Sequence, residues 1–218
     1  MIKAVVFDMD GVLFDTERLC KRSYCQVAEE LHLQDMDKVF DTFIGRNIDD
    51  TKRLFEEHYR EQIDFERFDE LTSALARRWK KEEGIPVKKG VRELLEYLKG
   101  QQLSIGLASS TRREKVLEML EQTGISEYFE TVIAGDMVKH SKPDPEIYLL
   151  ACEGLKVKPE EAYAIEDSFN GIRAAHRAGM KPIMVPDLLA PDNEMKELSY
   201  CICDDLLEVL KKKSLWQV

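Results

Sequence analysis

The 218-residue chain lacks any apolar run approaching the ~20 residues that a membrane-spanning helix needs. Its opening apolar segment, residues 2–7, is too short for a signal-peptide core and runs directly into acids. A cytoplasmic location is expected. Cysteine is sparse and odd in number, five at positions 20, 25, 152, 201 and 203, with no disulfide-framework spacing. Free thiols fit a reducing compartment, and Cys201 and Cys203, two apart, read as small buried apolar residues. Excess positive charge is missing too. The 32 basic residues face 42 acidic ones, giving a net charge of -10, which repels nucleic acid and anionic lipid and argues against both as partners. The four histidines (32, 58, 140 and 176) include no pair at metal-ligand spacing, although His140 lies close to Lys142 in sequence. There is no P-loop, G-x-G-x-x-G, G-x-S-x-G or H-E-x-x-H, so a nucleotide cofactor is unsupported. Low-complexity tracts are absent, and 44% hydrophobic with 34% charged residues describes an ordinary globular chain.

What is present is alternation. Residues 2–7 (Ile-Lys-Ala-Val-Val-Phe) read as a buried strand that ends in Asp8-Met9-Asp10-Gly11. Residues 16–83 change character: proline is absent, glycine sparse, and apolar residues recur at helical spacing, as in Leu71, Ala74, Leu75 and Trp79. This is an all-helical block with a break at 43–47 and a hinge at Glu83-Gly84-Ile85-Pro86. From 87 onward the spacing predicts a helix on the stripe Val91, Leu94, Leu95 and Leu98, with strands at 103–108, 131–134, 162–165, 180–185 and 200–203. Further helices fall at 111–122, 144–153, 168–178 and from 204 onward. Thr111 with Glu114 reads as a capping box, and Asp144-Pro145 as an N-cap followed by a first-turn proline. The pattern specifies an α/β fold: a Rossmann-like parallel sheet with helices on both faces, plus an all-helical insertion after the first strand. The expected domains are an α/β core, residues 1–15 and 86–218, and a helical domain, residues 16–85.

Chemistry gathers at the strand ends. Aspartate is disfavoured in strands, yet Asp8 and Asp10 stand at the carboxyl end of a buried one, where open parallel sheets bind ligands. Glu166-Asp167 repeats the arrangement. Ser109 closes strand 103–108 and is not needed as a helix cap, and Lys142 precedes Pro143 and a capped helix. Singly, each has a plain reading as a turn residue, a first-turn acid or a solvated lysine. Together, acids at two strand ends can hold a hard cation such as Mg²⁺ through oxygen. The Lys and Ser supply donors suited to phosphate oxygens, and an Asp carboxylate can accept a phosphoryl group. An anionic nucleophile approaches a phosphate dianion only where positive charge covers the repulsion.

At this point a resemblance is plain. Asp8-Met9-Asp10-Gly11-Val12-Leu13-Phe14-Asp15-Thr16-Glu17 resembles the first motif of the haloacid dehalogenase superfamily. Ser109 in Leu-Ala-Ser-Ser, Lys142 in Ser-Lys-Pro-Asp-Pro, and Glu166-Asp167 in Ile-Glu-Asp-Ser resemble its second, third and fourth motifs. Order and spacing agree over essentially the whole chain. The helical insertion resembles the family's small cap domain, and the chain is most similar to the β-phosphoglucomutase-like phosphatases. The resemblance implies that Asp8 is the nucleophile, forming an aspartyl-phosphate, and that Asp10 is general acid and then base. It implies Mg²⁺ on the carboxylates of Asp8 and Asp167 and the backbone carbonyl of Asp10, with Glu166 binding directly or through water. Ser109 and Lys142 would bind the phosphoryl group. Thr16, at the cap hinge, is a candidate for gating or positioning, and Arg46, in the cap break, for gripping a second anionic group. The expected substrate is a small phosphorylated metabolite such as a sugar phosphate, and the expected state a monomer. One departure concerns Cys20: the mutase branch carries a histidine there, four residues after the Thr. That tilts the expectation toward hydrolysis. A phosphoglucomutase-type isomerase stays as the alternative, and a non-catalytic scaffold as the remote one.

Overall fold

The structure, a computed structural model, describes residues 1–44 and 48–216. The chain divides into two compact units, Met1–Phe14 with Val87–Val218, and Asp15–Pro86. The first strand, β1 (Ala4–Phe7), is buried at every position, as an apolar strand covered on both faces must be.

The unit Asp15–Pro86 is helical: α1 (Thr16–Glu30), α2 (Met36–Asp41), α3 (Ile48–Tyr59) and α4 (Phe65–Glu83). Its interior is a cluster of rings. Phe68 is fully buried, with its centroid 5.1 Å from Tyr24 and 4.7 Å from Phe55. Tyr24 in turn meets Phe40 edge-on at 5.2 Å. Such pairs add roughly 0.5–1.5 kcal/mol each beyond the area they bury. The buried face of α4 corrects the expected stripe. Phe65, Phe68, Thr72 and Trp79 are buried, whereas Ala74 is exposed and Leu71 and Leu75 are half-buried. The large rings take the interior and turn the helix by about one residue, ~100°.

In the other unit, β1 is joined by β2 (Ser104–Ser109), β3 (Thr131–Ala134), β4 (Ala162–Glu166), β5 (Lys181–Met184) and β6 (Cys201–Ile202). All pairs are parallel, in the order β3-β2-β1-β4-β5-β6. The Rossmann-like α/β class is therefore as the sequence indicates. Strand order reverses at β1, so the crevice past the carboxyl ends of β1 and β4 is the topological switch point where such sheets take ligands.

The helices of this unit are α5 (Val91–Gly100), α6 (Arg113–Gln122), α7 (Glu146–Gly154), α8 (Phe169–Arg177), α9 (Asn193–Leu198), α10 (Leu206–Lys211) and α11 (Lys213–Trp216). The α5 stripe of Val91, Leu94, Leu95 and Leu98 is wholly buried. One core cluster joins small strand residues, Ala4, Val6, Ala108, Ala162 and Ala164, to Tyr148, Ala151 and Cys152 of α7 and Ala174 and Ala175 of α8. A Cβ at Gly106 would come within 3.0 Å of Leu155 Cδ1, so the small strand side chains let α7 close on the sheet and bring Tyr148 to β4. No helix among the described residues is long and apolar enough to cross a membrane.

The capping box at Thr111 is not formed. Helix α6 starts at Arg113, and its first N–H donates to Asp136 Oδ1 at 2.9 Å, a cap supplied from 23 residues away. Thr111 is released for another partner, described below.

Truncating the central ring of the helical unit, Phe68→Ala, is expected to cost about 3–5 kcal/mol, the usual price of a large core cavity. Urea unfolding followed by far-UV circular dichroism checks this, and a loss under about 1 kcal/mol would show that the ring cluster is loosely packed.

Candidate active site

Asp8 directly follows β1, and its backbone N–H donates to Ile165 O of β4 at 2.9 Å. That bond sets Asp8 beside the end of β4, where Glu166 closes the strand and Asp167 follows. Lys142 reaches in from the segment before α7. Its Nζ donates to Asp8 Oδ1 at 2.5 Å, to Glu166 Oε1 at 2.6 Å and to Ala108 O at 3.0 Å. The three side chains are nearly inaccessible: 6% exposed for Lys142, 10% for Asp8 and 0% for Glu166.

Glu166 is saturated. Its Oε1 accepts from Lys142 Nζ and from the Tyr148 hydroxyl at 2.9 Å. Its Oε2 accepts from the backbone N–H groups of Asp167 and Ser168 and from Ser168 Oγ, each at 3.0 Å. Five donors fill a carboxylate that offers about four lone-pair sites. Tyr148 also sets its ring 5.0 Å from Lys142 Nζ. Ser168 Oγ in turn caps α8, accepting from Gly171 N at 3.0 Å. Two glycines clear this space. A Cβ on Gly171 would lie 1.7 Å from Glu166 Oε1, and one on Gly11, at φ +79, would lie 2.1 Å from Asp167 Oδ2. Neither position tolerates a side chain while the acids stay where they are.

Ligand oxygens of Asp8, Glu166 and Asp167 all lie within 4.8 Å of one another. These acids face one ammonium, which leaves two negative charges uncompensated in a poorly hydrated site. The protonation energetics follow. Burial, opposed by Lys142 but reinforced by Glu166 and Asp10, pushes the Asp8 carboxyl up to about 8. Burial and the charges of Glu166, Asp8 and Asp187 hold Asp167 well above the carboxylate range. Glu166 is buried too, yet Lys142 and its other donors draw it below the ordinary value. Burial disfavours the charge on Lys142, but Asp8 and Glu166 outweigh that and raise it. Asp8 and Asp167 thus hold protons more tightly than ordinary carboxylates, at oxygens where a hard divalent cation could bind instead. The oxygen-only donor set and the missing double positive charge fit such a cation.

Asp10 points elsewhere. Its Oδ2 accepts from Thr111 Oγ1 at 2.9 Å, and Thr111 N donates to Ser109 Oγ at 3.1 Å. Ser109 is fully buried at the end of β2, beside the Ala108 carbonyl that Lys142 contacts. The α/β unit therefore gathers Asp8, Asp10, Ser109, Lys142, Glu166 and Asp167 at one end of the sheet. Thr16 opens α1 in the helical unit, and Arg46 lies outside the described residues. His140 has a side chain 71% exposed, with Nδ1 3.5 Å from Glu146 Oε2, and does not join this cluster. Burial pushes the Cys20 thiol up to about 12, so at neutral pH it is a neutral thiol. Sequence reasoning missed Tyr148, which reads as an ordinary apolar-stripe residue, and Thr111, which local spacing assigned to a helix cap.

Residues 5–185 match the family described as haloacid dehalogenase-like hydrolase. The chain is 36% identical over 182 residues to the phosphorylated carbohydrates phosphatase of Thermotoga maritima, covering 84% of each chain. It is 32% identical over 189 residues to hexitol phosphatase B of Escherichia coli, covering 85% of this chain and 84% of the other. Among solved structures, a Thermotoga maritima protein provisionally described as a beta-phosphoglucomutase superposes with a TM-score of 0.81 at 34% identity, over 97% of this chain and 99% of that one.

The raised Asp8 value has a consequence for stability. An unfolded aspartate ionises near ~4, whereas folded Asp8 keeps its proton up to about 8. Between those values the folded chain binds more protons, so stability of the cation-free protein falls as pH rises through the window. A divalent cation bound there would take the proton's place, and its stabilisation would grow over the same range. Melting temperatures measured at pH 5, 6, 7 and 8, in chelator or in millimolar Mg²⁺, are expected to diverge with pH. A gap that is absent or constant would contradict this charge assignment.

Proposed function

The chain belongs to the haloacid dehalogenase-like hydrolases, and from that premise we propose that it is a Mg²⁺-dependent phosphatase of small phosphate monoesters, sugar phosphates or similar metabolites. The observation that carries the reading is the Lys142 ammonium held against the Asp8 carboxylate within a cluster of acids. That arrangement suits an anionic nucleophile facing an anionic ester. The activities after which the relatives are named, on phosphorylated carbohydrates and on hexitol phosphates, support the substrate class.

Asp8 is the nucleophile. A carboxylate oxygen attacks phosphorus, the bond from phosphorus to the leaving alcohol breaks, and an aspartyl-phosphate forms on Asp8. Asp10 gives a proton to the departing oxygen, then takes one from the water that hydrolyses the intermediate. Thr111 donates to Asp10 Oδ2 at 2.9 Å, which orients the carboxyl for that proton transfer. Ser109 Oγ accepts the Thr111 N–H and would donate its own proton to a phosphoryl oxygen. Lys142 covers charge shared between Asp8 and the transferring group. The carboxylates of Asp8 and Asp167 and the backbone carbonyl of Asp10 would hold Mg²⁺, which supplies further neutralisation of the phosphoryl oxygens. Glu166, with five donors on it, positions Lys142 and the Asp167 backbone rather than ligating directly. Substrate selection is assigned to the helical unit, with Thr16 and Arg46 as its candidate residues.

A second reading is a phosphoglucomutase-type isomerase, favoured by the similarity to the solved Thermotoga maritima structure provisionally described as a beta-phosphoglucomutase. Cys20 speaks against it, because a neutral thiol is a poor substitute for an imidazole in orienting a general acid. Incubation with β-glucose 1-phosphate separates the two: free phosphate as the product supports hydrolysis, and glucose 6-phosphate supports the isomerase.

Asp8→Asn is expected to lower phosphate release by at least ~1000-fold while leaving the unfolding transition cooperative. Turnover at the wild-type rate in this variant, or in excess chelator, would remove the mechanism. Thr111→Val is expected to lower kcat by roughly 10- to 100-fold with KM little changed, and Thr111→Ser to restore it. An unchanged kcat in the valine variant would show that Thr111 does not position the acid.

A further inference from the structure

Lys88 and Asp187 form an ion pair that no catalytic motif includes. Lys88 Nζ donates to Asp187 Oδ1 at 2.7 Å, and the two side chains are 18% and 1% exposed. Exposed pairs contribute little, whereas burial leaves the charges of a pair poorly screened. Its place in the sheet gives it a direction. Lys88 is tied to the loop after β1, since its backbone N–H donates to Leu13 O at 2.9 Å and Phe14 bridges Val87. Asp187 follows β5, where the Val185 N–H donates to Glu166 O at 2.7 Å. In the sheet β4 lies between β1 and β5. The pair therefore joins the loops on either side of β4, and the residue following β4 is Asp167. The field of Asp187 is among those felt by the Asp167 carboxyl.

We propose that Asp187, paired with Lys88 beside β4, is a positioning residue of the cation site: an outer carboxylate that adds negative potential at Asp167, where a divalent cation would be held. The proposal rests on the metal reading given above. Asp187 touches neither substrate nor phosphoryl group and acts through Asp167. Its sign distinguishes it from a purely structural pair. Removing the Asp187 charge weakens cation binding and strands the Lys88 ammonium near the site, which opposes a cation further. Removing the Lys88 charge has the opposite electrostatic sign.

Titration calorimetry of Mg²⁺ into chelator-stripped protein tests this, with thermal unfolding in chelator confirming that each variant is folded. Asp187→Asn is expected to raise the Kd for Mg²⁺ about tenfold, and Lys88→Met to leave it equal to or below that of the unsubstituted chain. A Kd within twofold of the unsubstituted chain in Asp187→Asn, or an equal weakening in both variants, overturns the proposal. If Asp187→Asn does not fold, Lys88→Met decides alone, since weakened binding there contradicts the assigned sign. Should the unsubstituted chain bind no Mg²⁺, the proposal falls together with the metal reading. Binding of Mg²⁺ without phosphate release from any monoester would instead overturn the phosphatase reading and leave this inference standing.

Discussion

The structure turns on an imbalance of buried charge. Asp8, Glu166 and Asp167 converge within 4.8 Å of one another, and the lysine that meets two of them supplies one positive charge. Burial alone would neutralise such acids by protonation. Glu166 escapes by accepting from five donors, and Lys142 stays charged between two carboxylates. Asp8 and Asp167 carry the remaining strain as raised proton affinity. On the proposed reading, acids that hold protons tightly where a divalent cation would bind, with a lysine against the proposed nucleophile, suit an incoming phosphate.

The rest of the α/β unit can be understood as what keeps these acids together. The parallel order puts β1 beside β4, so two short strands deliver acids to one crevice. Small residues on β1, β2 and β4 let α7 approach closely enough for Tyr148 to reach Glu166. Gly11 and Gly171 leave room for Asp167 and Glu166, where a single methyl group would collide with a carboxylate oxygen. Ser168 joins site and scaffold, donating to Glu166 while capping α8. Thr111 does the same on the other side, tying Ser109 at the end of β2 to Asp10.

Much of this was legible in the sequence. Apolar runs ending in acids mark strands whose carboxyl ends face a ligand, so Asp8, Asp10, Glu166 and Asp167 could be singled out before any coordinates, and the α/β alternation gives the sheet. What the sequence hid were interactions between segments far apart in the chain. Thr111 has the local spacing of a helix cap, but Asp136 supplies that cap from another loop and frees it for Asp10. Tyr148 sits on an apolar helix face, and nothing nearby in sequence shows that its hydroxyl meets Glu166. Asp187 and Lys88 are 99 residues apart, and each alone looks like a solvated charge. The Leu71, Ala74, Leu75 and Trp79 spacing marked the helix but not its full buried face, of which it holds only Trp79: the choice among neighbouring faces was made by rings on other helices, Tyr24 and Phe55, packing on Phe68.

The central claim is that a divalent cation and protons compete for the same oxygens of Asp8 and Asp167. Calorimetric titration of Mg²⁺ at pH 7 in two buffers of different ionisation enthalpy counts the protons that leave as the cation enters. The account predicts release of at least about one proton per cation, because Asp8 keeps its proton up to about 8 when no cation is bound. Mg²⁺ binding with no proton released would contradict it.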